Sequence, residues 1–265
     1  MKLIHLSDIH LTKPGERLLG LDPLSRLDAC LRDIGRYHPE TEFCVISGDL
    51  AHQGEIEAYA ALKDRLAKFQ IPTFLMIGGH DSRDRFFEVF TNHPRDENGY
   101  AQFTHQTAEA FCIFIDSVGP ESSGSGYCDL RLSWLRDQLE SAPDLPLLIF
   151  SHHPPFDVNI ALPDGTRLAD SGKIAELIAD RPVHHFFFGH VHRPMFCTWQ
   201  GILCSGVPGL VYQVPLTPSS VSSSYSIEPP MYAVININAE GTMVHFDAFM
   251  HRSSAESPAY RTQAG

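Results

Sequence analysis

The chain has 265 residues, 43% of them hydrophobic and 20% charged, which suits one large α/β domain with a substantial core. A formal net charge of −12 with no Lys/Arg cluster excludes a broad grip on nucleic-acid polymers, and no run of about 20 apolar residues is present to span a membrane. An acidic shell also repels anions, so a phosphate-bearing substrate would need local positive charge, which metal ions supply without basic residues.

Lys2–Leu6 predicts a short strand ending in Ser7-Asp8-Ile9-His10; with no leader ahead of it, the chain is expected to be cytoplasmic. Leu24, Leu27, Leu31 and Ile34 recur at helical spacing and predict a helix over Leu24–Tyr37, capped by Asp22 or Ser25. Phe43–Ser47 is a continuous apolar run, the mark of a strand buried on both faces, and Gly48-Asp49 ends it. A helix over Glu55–Phe69 leads to a third buried strand, Thr73–Ile77, ending in Gly78-Gly79-His80-Asp81. Arg83–Phe90 predicts a short helix. Tyr100–His105 and Ala110–Asp116 then predict an antiparallel pair, Ser122–Gly126 a flexible loop, and Leu130–Glu140 a helix. Leu145–Phe150 predicts a strand ending in Ser151-His152-His153, and Ser171–Ala179 a helix. Val183–Phe188 predicts a strand ending in Gly189-His190-Val191-His192. Cys197–Cys204 reads as a hairpin with a two-residue turn, setting two reduced cysteines opposite each other. Pro230–Asn236 and Thr242–Phe249 complete the strands of a single domain over residues 1–252, with a Ser-rich loop at 217–226 and a tail at 253–265.

The 15 histidines are the compositional outlier, and their placement carries the chemistry. Five buried strands each end in a turn rich in Asp, His or Gly: Asp8-x-His10, Gly48-Asp49, Gly79-His80-Asp81, His152-His153 and Gly189-His190-x-His192. Groups at the carboxyl ends of sheet strands gather on one edge of an α/β fold. A lone histidine at a strand end is more often solvated or capped than a ligand, but five such turns in order outweigh that reading. Carboxylate and imidazole without thiolate suit Zn, Fe, Mn or Co in a reactive centre. There are more candidate ligands than one ion can use, and Asp49 is the natural bridge between two.

This order of motifs, over about residues 1–210, resembles the calcineurin-like metallophosphoesterases. Leu6-Ser7-Asp8-Ile9-His10, the length and the Gly-His-Val-His ending look closest to bacterial class III cyclic-nucleotide phosphodiesterases and glycerophosphodiesterases. The resemblance implies a four-layer α/β/β/α sandwich of two mixed sheets flanked by helices. It implies one ion on Asp8, His10, Asp49 and His192, and a second on Asp49, His152 and His190. His80 would face the substrate phosphate as charge stabiliser or proton donor, oriented by Asp81, while a metal-bound hydroxide attacks phosphorus. It also implies a homo-oligomer and a small-molecule phosphodiester substrate.

One departure matters. The family motif reads Gly-Asn-His-Asp, and its Asn binds the second metal; here Gly79 stands in that place. A water could take the position, leaving a weaker site. Another residue could fill it, with His52, His153 and Asn159 the candidates. Or the substrate differs, and hydrolysis of another ester, a phosphonate ester or an amide then competes with the phosphodiester reading, as does a non-catalytic binding scaffold. Gly79, His52 and His153 are accordingly candidate substrate contacts. The loop Thr12–Leu21, with Arg17, is expected to line the entrance, along with Phe156–Asp170. His5, His184 and His185 read as structural. Val207–Tyr212 suits an apolar wall, an oligomer contact or core.

Overall fold

The central strands are mostly apolar because each separates two cores. In a computed structural model describing residues 1–119, 125–160, 167–179, 181–216 and 225–250, β1 (Lys2–Leu6), β2 (Phe43–Ser47) and β3 (Thr73–Met76) run parallel. β10 (Met231–Asn238) and β11 (Gly241–Ala248) extend them antiparallel into a sheet of order β11-β10-β1-β2-β3. The second sheet contains β4 (Phe103–Gln106), β5 (Phe111–Phe114), β6 (Leu147–Ser151), β7 (Val183–Phe188), β8 (Met195–Trp199) and β9 (Ile202–Gly206), in the order β4-β5-β6-β7-β9-β8. Strands β5, β6, β7 and β9 are its parallel part.

Strand alternation sorts the side chains. Leu3, Phe43 and Val45 meet Phe114, Phe150 and Phe187 between the sheets. Their neighbours Ile4, Leu6, Cys44 and Ile46 pack outward on α1 (Pro23–Tyr37), α2 (Ile56–Leu66) and α3 (Arg83–Val89). On the other side Ile149, Phe186 and Phe188 pack on α4 (Asp129–Ser141) and α5 (Ser171–Ile178). The result is the expected helix–sheet–sheet–helix sandwich. Asp22 caps α1, accepting from the Leu24 and Ser25 amides. No helix among the described residues is long and apolar enough to cross a membrane.

Several expected elements shift by one or two residues, and two shift by three at one end. The strand placed at Tyr100–His105 begins only at Phe103, because carboxylates capture the earlier backbone: Asp96 accepts from the Tyr100 amide and Asp116 from the Ala101 amide. The helix placed at Glu55–Phe69 ends at Leu66, where the Lys68 and Phe69 amides turn back to Arg65 and Leu66. The Cys197–Cys204 pairing is as expected, with both cysteines free. Most of the Ser-rich loop at 217–226, most of the 122–126 loop, residues 161–166 of the Phe156–Asp170 loop and the whole 253–265 tail lie outside the described residues.

The in-register pairs Phe103–Phe114, Phe114–Phe150 and Phe150–Phe187 stack at ring separations of 4.5, 4.9 and 4.8 Å, and His185 closes the row 4.1 Å from Phe187. The strand spacing of about 4.8 Å sets the three Phe–Phe distances, whereas His185 and Phe187 are neighbours on one face of β7. His185 is fully buried, with Nε2 2.8 Å from Ser205 Oγ, and burial pushes its pKa down to about 4. The unfolded chain, with an ordinary value of about 6.5, therefore binds the extra proton between pH 4 and 6.5. This contribution is complete above pH 6.5 and is lost as pH falls toward 4, amounting to about 2 kcal/mol by pH 5. In chelator-treated protein, the stability lost between pH 7 and 5 should be smaller in His185→Gln than in wild type by about that amount. Equal losses in the two chemical-denaturation series would rule His185 out as the source.

Candidate metal centre

The loops leaving β1 and β2 run side by side. The Asp8, His10 and Leu11 amides donate to the Gly48, Asp49 and Leu50 carbonyls at 3.0, 2.8 and 2.9 Å. The β7 loop joins them across the sandwich, where the His190 amide donates to Asp8 Oδ2 at 2.9 Å. The strand-end residues from both sheets thus converge at one place. Asp8, His10, Asp49, His190 and His192 all hold left-handed backbone, with φ between 39° and 66°. Non-glycine residues rarely adopt this conformation, and it costs on the order of 1 kcal/mol or more each. Gly48 has no alternative residue, since a Cβ there would lie 2.5 Å from His152 Nδ1 and 2.9 Å from the Gly78 nitrogen.

Three donor clusters result among the described residues, the third being His10, His52 and His80, which shares His10 with the first. In the first, His192 Nε2 lies 3.2 Å from Asp8 Oδ1 and 3.2 Å from His10 Nε2, which is 3.5 Å from Asp49 Oδ2. In the second, ring nitrogens of His152, His153 and His190 lie within 4.8 Å of one another, and His152 Nε2 is 3.4 Å from Asp49 Oδ1. The two oxygens of Asp49 therefore face different clusters, as a bridging carboxylate requires. Ligands bonded at about 2.0–2.2 Å to one ion stand about 2.8–3.6 Å apart, so the first cluster has the spacing of a coordination shell. Asp8 Oδ1 and His152 Nε2 are buried without a hydrogen-bond partner, a costly state that a cation would relieve.

Backbone carbonyls fix the imidazoles. The Nδ1 atoms of His152 and His192 lie 2.9 and 2.8 Å from the Ser47 and Tyr212 carbonyls, which can only accept. Nδ1 therefore carries a proton, and Nε2 is the atom turned toward the centre. Burial pushes the Asp8 and Asp49 carboxyls up, but His192 beside Asp8 and His152 beside Asp49 hold both well below the usual range. Burial lowers His152, yet Asp49 lifts it to about 9; burial keeps His10 well below its ordinary value. Protons on imidazoles thus balance the carboxylates in the metal-free chain, and cations would displace them.

A cleft of about 410 Å3 opens onto these clusters, lined among the described residues by Asp49, His52, His80, His190, His192 and, as a wall, Leu18, Leu19, Tyr212 and Tyr225. The size suits a small molecule. His80 sits at the cleft, but Asp81 does not orient it. The Asp81 carboxylate accepts from the Leu50, Ala51 and Gly78 amides and the Tyr59 hydroxyl at 2.8–3.0 Å, tying the β2 loop to the β3 loop. It is only 1% exposed, and burial followed by the Asp49 charge pushes it up to about 6. His80 is held instead by its Nδ1, 2.8 Å from the His52 carbonyl.

His52 lines the cleft as expected and also stands behind His10, the two Nδ1 atoms 3.3 Å apart. His153 does not line it: the ring is 2% exposed and lies beneath the floor. Asn159 is exposed and does not line the cleft, its backbone N–H donating to Asp157 Oδ1. His5 pairs with Ser47 Oγ and His184 accepts from the Leu147 amide, both structural. Of the entrance loop, Leu18 and Leu19 reach the cleft, while Arg17 bonds the Gly20 carbonyl. Of the Val207–Tyr212 stretch, read as an apolar wall, an oligomer contact or core, Tyr212 does line the cleft. It stacks on His192 at 4.4 Å, with its hydroxyl 3.3 Å from His10 Nε2. The available signal was its place after β9, which obeys the same strand-end rule as the ligands.

Residues 1–194 match the sequence profile of the calcineurin-like phosphoesterases. A probable cyclic nucleotide phosphodiesterase of Rhodopseudomonas palustris is 38% identical over 258 residues, 95% of this chain and 93% of that protein. A glycerophosphodiester phosphodiesterase of Enterobacter lignolyticus is 25% identical, covering 87% of this chain and 84% of its own. In fold, a dimetal phosphatase from Danio rerio superposes with a TM-score of 0.70 at 14% identity, over 94% of this chain and 96% of that one. The chain belongs to the calcineurin-like phosphoesterase family.

Proposed function

We propose that the protein is a dinuclear metal-dependent phosphodiesterase acting on small phosphodiesters, with 3′,5′-cyclic nucleotides as the preferred class. The observation that carries this reading is Asp49, whose two oxygens face two imidazole clusters at the floor of one cleft. Asp8, His10, Asp49 and His192 would hold one ion, and Asp49, His152 and His190 the other; the oxygen and nitrogen donors suit Fe, Mn, Zn or Co. When bound, such a pair acidifies water, clamps phosphoryl oxygens and neutralises developing charge.

The chain's own residues do the rest. His80 donates a hydrogen bond from Nδ1–H to the His52 carbonyl, so Nε2 is the atom that exchanges a proton with the leaving oxygen. Asp81 keeps the β2 and β3 loops together and so fixes Asp49 and His80 relative to each other. Tyr212 and Tyr225 meet at 4.6 Å as an aromatic wall, which suits a planar base better than a glycerol headgroup. The Rhodopseudomonas relative, at 38% identity, supports the same preference. The test is turnover of 3′,5′-cyclic AMP, glycerophosphocholine and bis(p-nitrophenyl) phosphate by protein reloaded with Mn(II) or Zn(II). The expected result is activity abolished by chelation, with kcat/KM highest for the cyclic nucleotide among the two natural substrates. A fully loaded chain that cleaves none of the three would overturn the proposal.

A further inference from the structure

Gly79 leaves a space where a side chain would fit, and a neighbouring ring borders it. Its φ is not in the left-handed region, and a Cβ built there meets nothing closer than His153 Nε2 at 3.7 Å. The contrast is Gly78, where a Cβ would collide with Asp49. Position 79 therefore does not need glycine for backbone reasons, and the nitrogen of another residue sits beside the room it leaves.

That nitrogen is held firmly. Ser117 Oγ lies 2.9 Å from His153 Nδ1 and also accepts the His153 amide at 3.3 Å. Ser117 itself is fully buried and follows Asp116, whose carboxylate takes both Arg83 Nε at 2.9 Å and Arg83 Nη2 at 3.0 Å. Buried Arg131 donates to the Val118 carbonyl at 2.8 Å. The loop after β5 thus clamps the ring on its Nδ1 side and leaves Nε2 toward Gly79. The ring centroid lies 4.7 Å from His152 and 4.6 Å from His190.

Resting on the two-ion reading above, we infer that His153 is a ligand of the second ion through Nε2, taking the place of the side chain missing at Gly79. The second ion is then held by Asp49, His152, His153 and His190. Three imidazoles and a shared carboxylate make a softer donor set than one with an amide oxygen. The Zn(II)-over-Mn(II) preference of this site is correspondingly raised. Ser117 acts as a positioning residue that fixes the metal-facing nitrogen.

The experiment is calorimetric titration of chelator-treated protein with Zn(II) and with Mn(II), with metal content of the dialysed samples counted by mass spectrometry. Wild type should take up two ions per chain. His153→Ala should keep the first and bind the second about a hundredfold more weakly or worse. Gly79→Asn in the His153→Ala background should recover most of that affinity and lower the Zn(II)-over-Mn(II) preference. Gly79→Asn alone should add little, because the place is taken. Two ions at wild-type affinity in His153→Ala would overturn the assignment, while a wild type binding fewer than two ions overturns the two-ion reading and the assignment with it. Crystals of the unsubstituted protein grown with Zn(II) give the same answer without a variant. An anomalous peak about 2.0–2.2 Å from His153 Nε2 supports the bond, and a water between them refutes it.

Discussion

Asp49→Asn is expected to abolish tight binding of both ions at once. The carboxylate faces His10 at 3.5 Å through Oδ2 and His152 at 3.4 Å through Oδ1, so its two oxygens join the two proposed sites. Asparagine keeps the shape and can still accept the His80 amide, now bonded to Oδ1 at 2.9 Å. It also tolerates the left-handed backbone at φ 49° better than other side chains. What it removes is one negative charge, and it turns an amide group toward one cluster. Breaking a buried charge pair costs about 3–5 kcal/mol, or roughly two to four powers of ten in affinity. The measurement is thermal unfolding with and without added Zn(II). An ion held at a hundredfold excess over its Kd adds about 2.7 kcal/mol of stability. Wild type should show that rise, and Asp49→Asn should not. Retention of one tight ion in the variant would mean that Asp49 serves one cluster only.

Most of this centre was legible because its residues follow strands that announce themselves. Runs such as Phe43–Ser47 and Val183–Phe188 read as strands, and their ends mark the sheet edge where Asp49, His190 and His192 converge. What was hidden depends on partners remote in the chain. Only the family resemblance separates His152 from His153 in the sequence; in the structure the Ser47 carbonyl turns one ring toward Asp49, and Ser117 holds the other beside Gly79. Of the readings left open at Gly79, the proposed role of His153 takes the one in which another residue fills the place, rather than a weakened second site. The motif pair His80-Asp81 suggested that the acid serves the base. In the structure Asp81 takes four donors from loops and α2, leaving His80 to a carbonyl 28 residues away. The left-handed backbone at five candidate ligand positions was equally invisible, since Asp and His there carry no glycine-like signal. Strain of that kind persists only where surrounding bonds overdetermine it, here the paired β1 and β2 loops and the Asp8–His190 tie.

His80→Ala should lower kcat by about 10²–10⁴ for a substrate with a poor leaving group while leaving two ions in place, because His80 belongs to neither coordination shell. The size of the loss should depend on the substrate. A ribose hydroxyl leaves as a strongly basic alkoxide unless it is protonated, whereas p-nitrophenolate leaves readily without help. If Nε2 delivers a proton, the variant should be crippled on 3′,5′-cyclic AMP and far less impaired on bis(p-nitrophenyl) phosphate. If the ring only stabilises charge on the phosphoryl oxygens, the two substrates should lose the same factor, since that charge develops with either leaving group. The His52 carbonyl is the device that separates these roles. By holding Nδ1–H at 2.8 Å it confines proton exchange to the ring edge over the cleft. Parallel kcat measurements on the two substrates, with metal content verified in each sample, decide between them. An unchanged kcat on both would remove His80 from the reaction altogether.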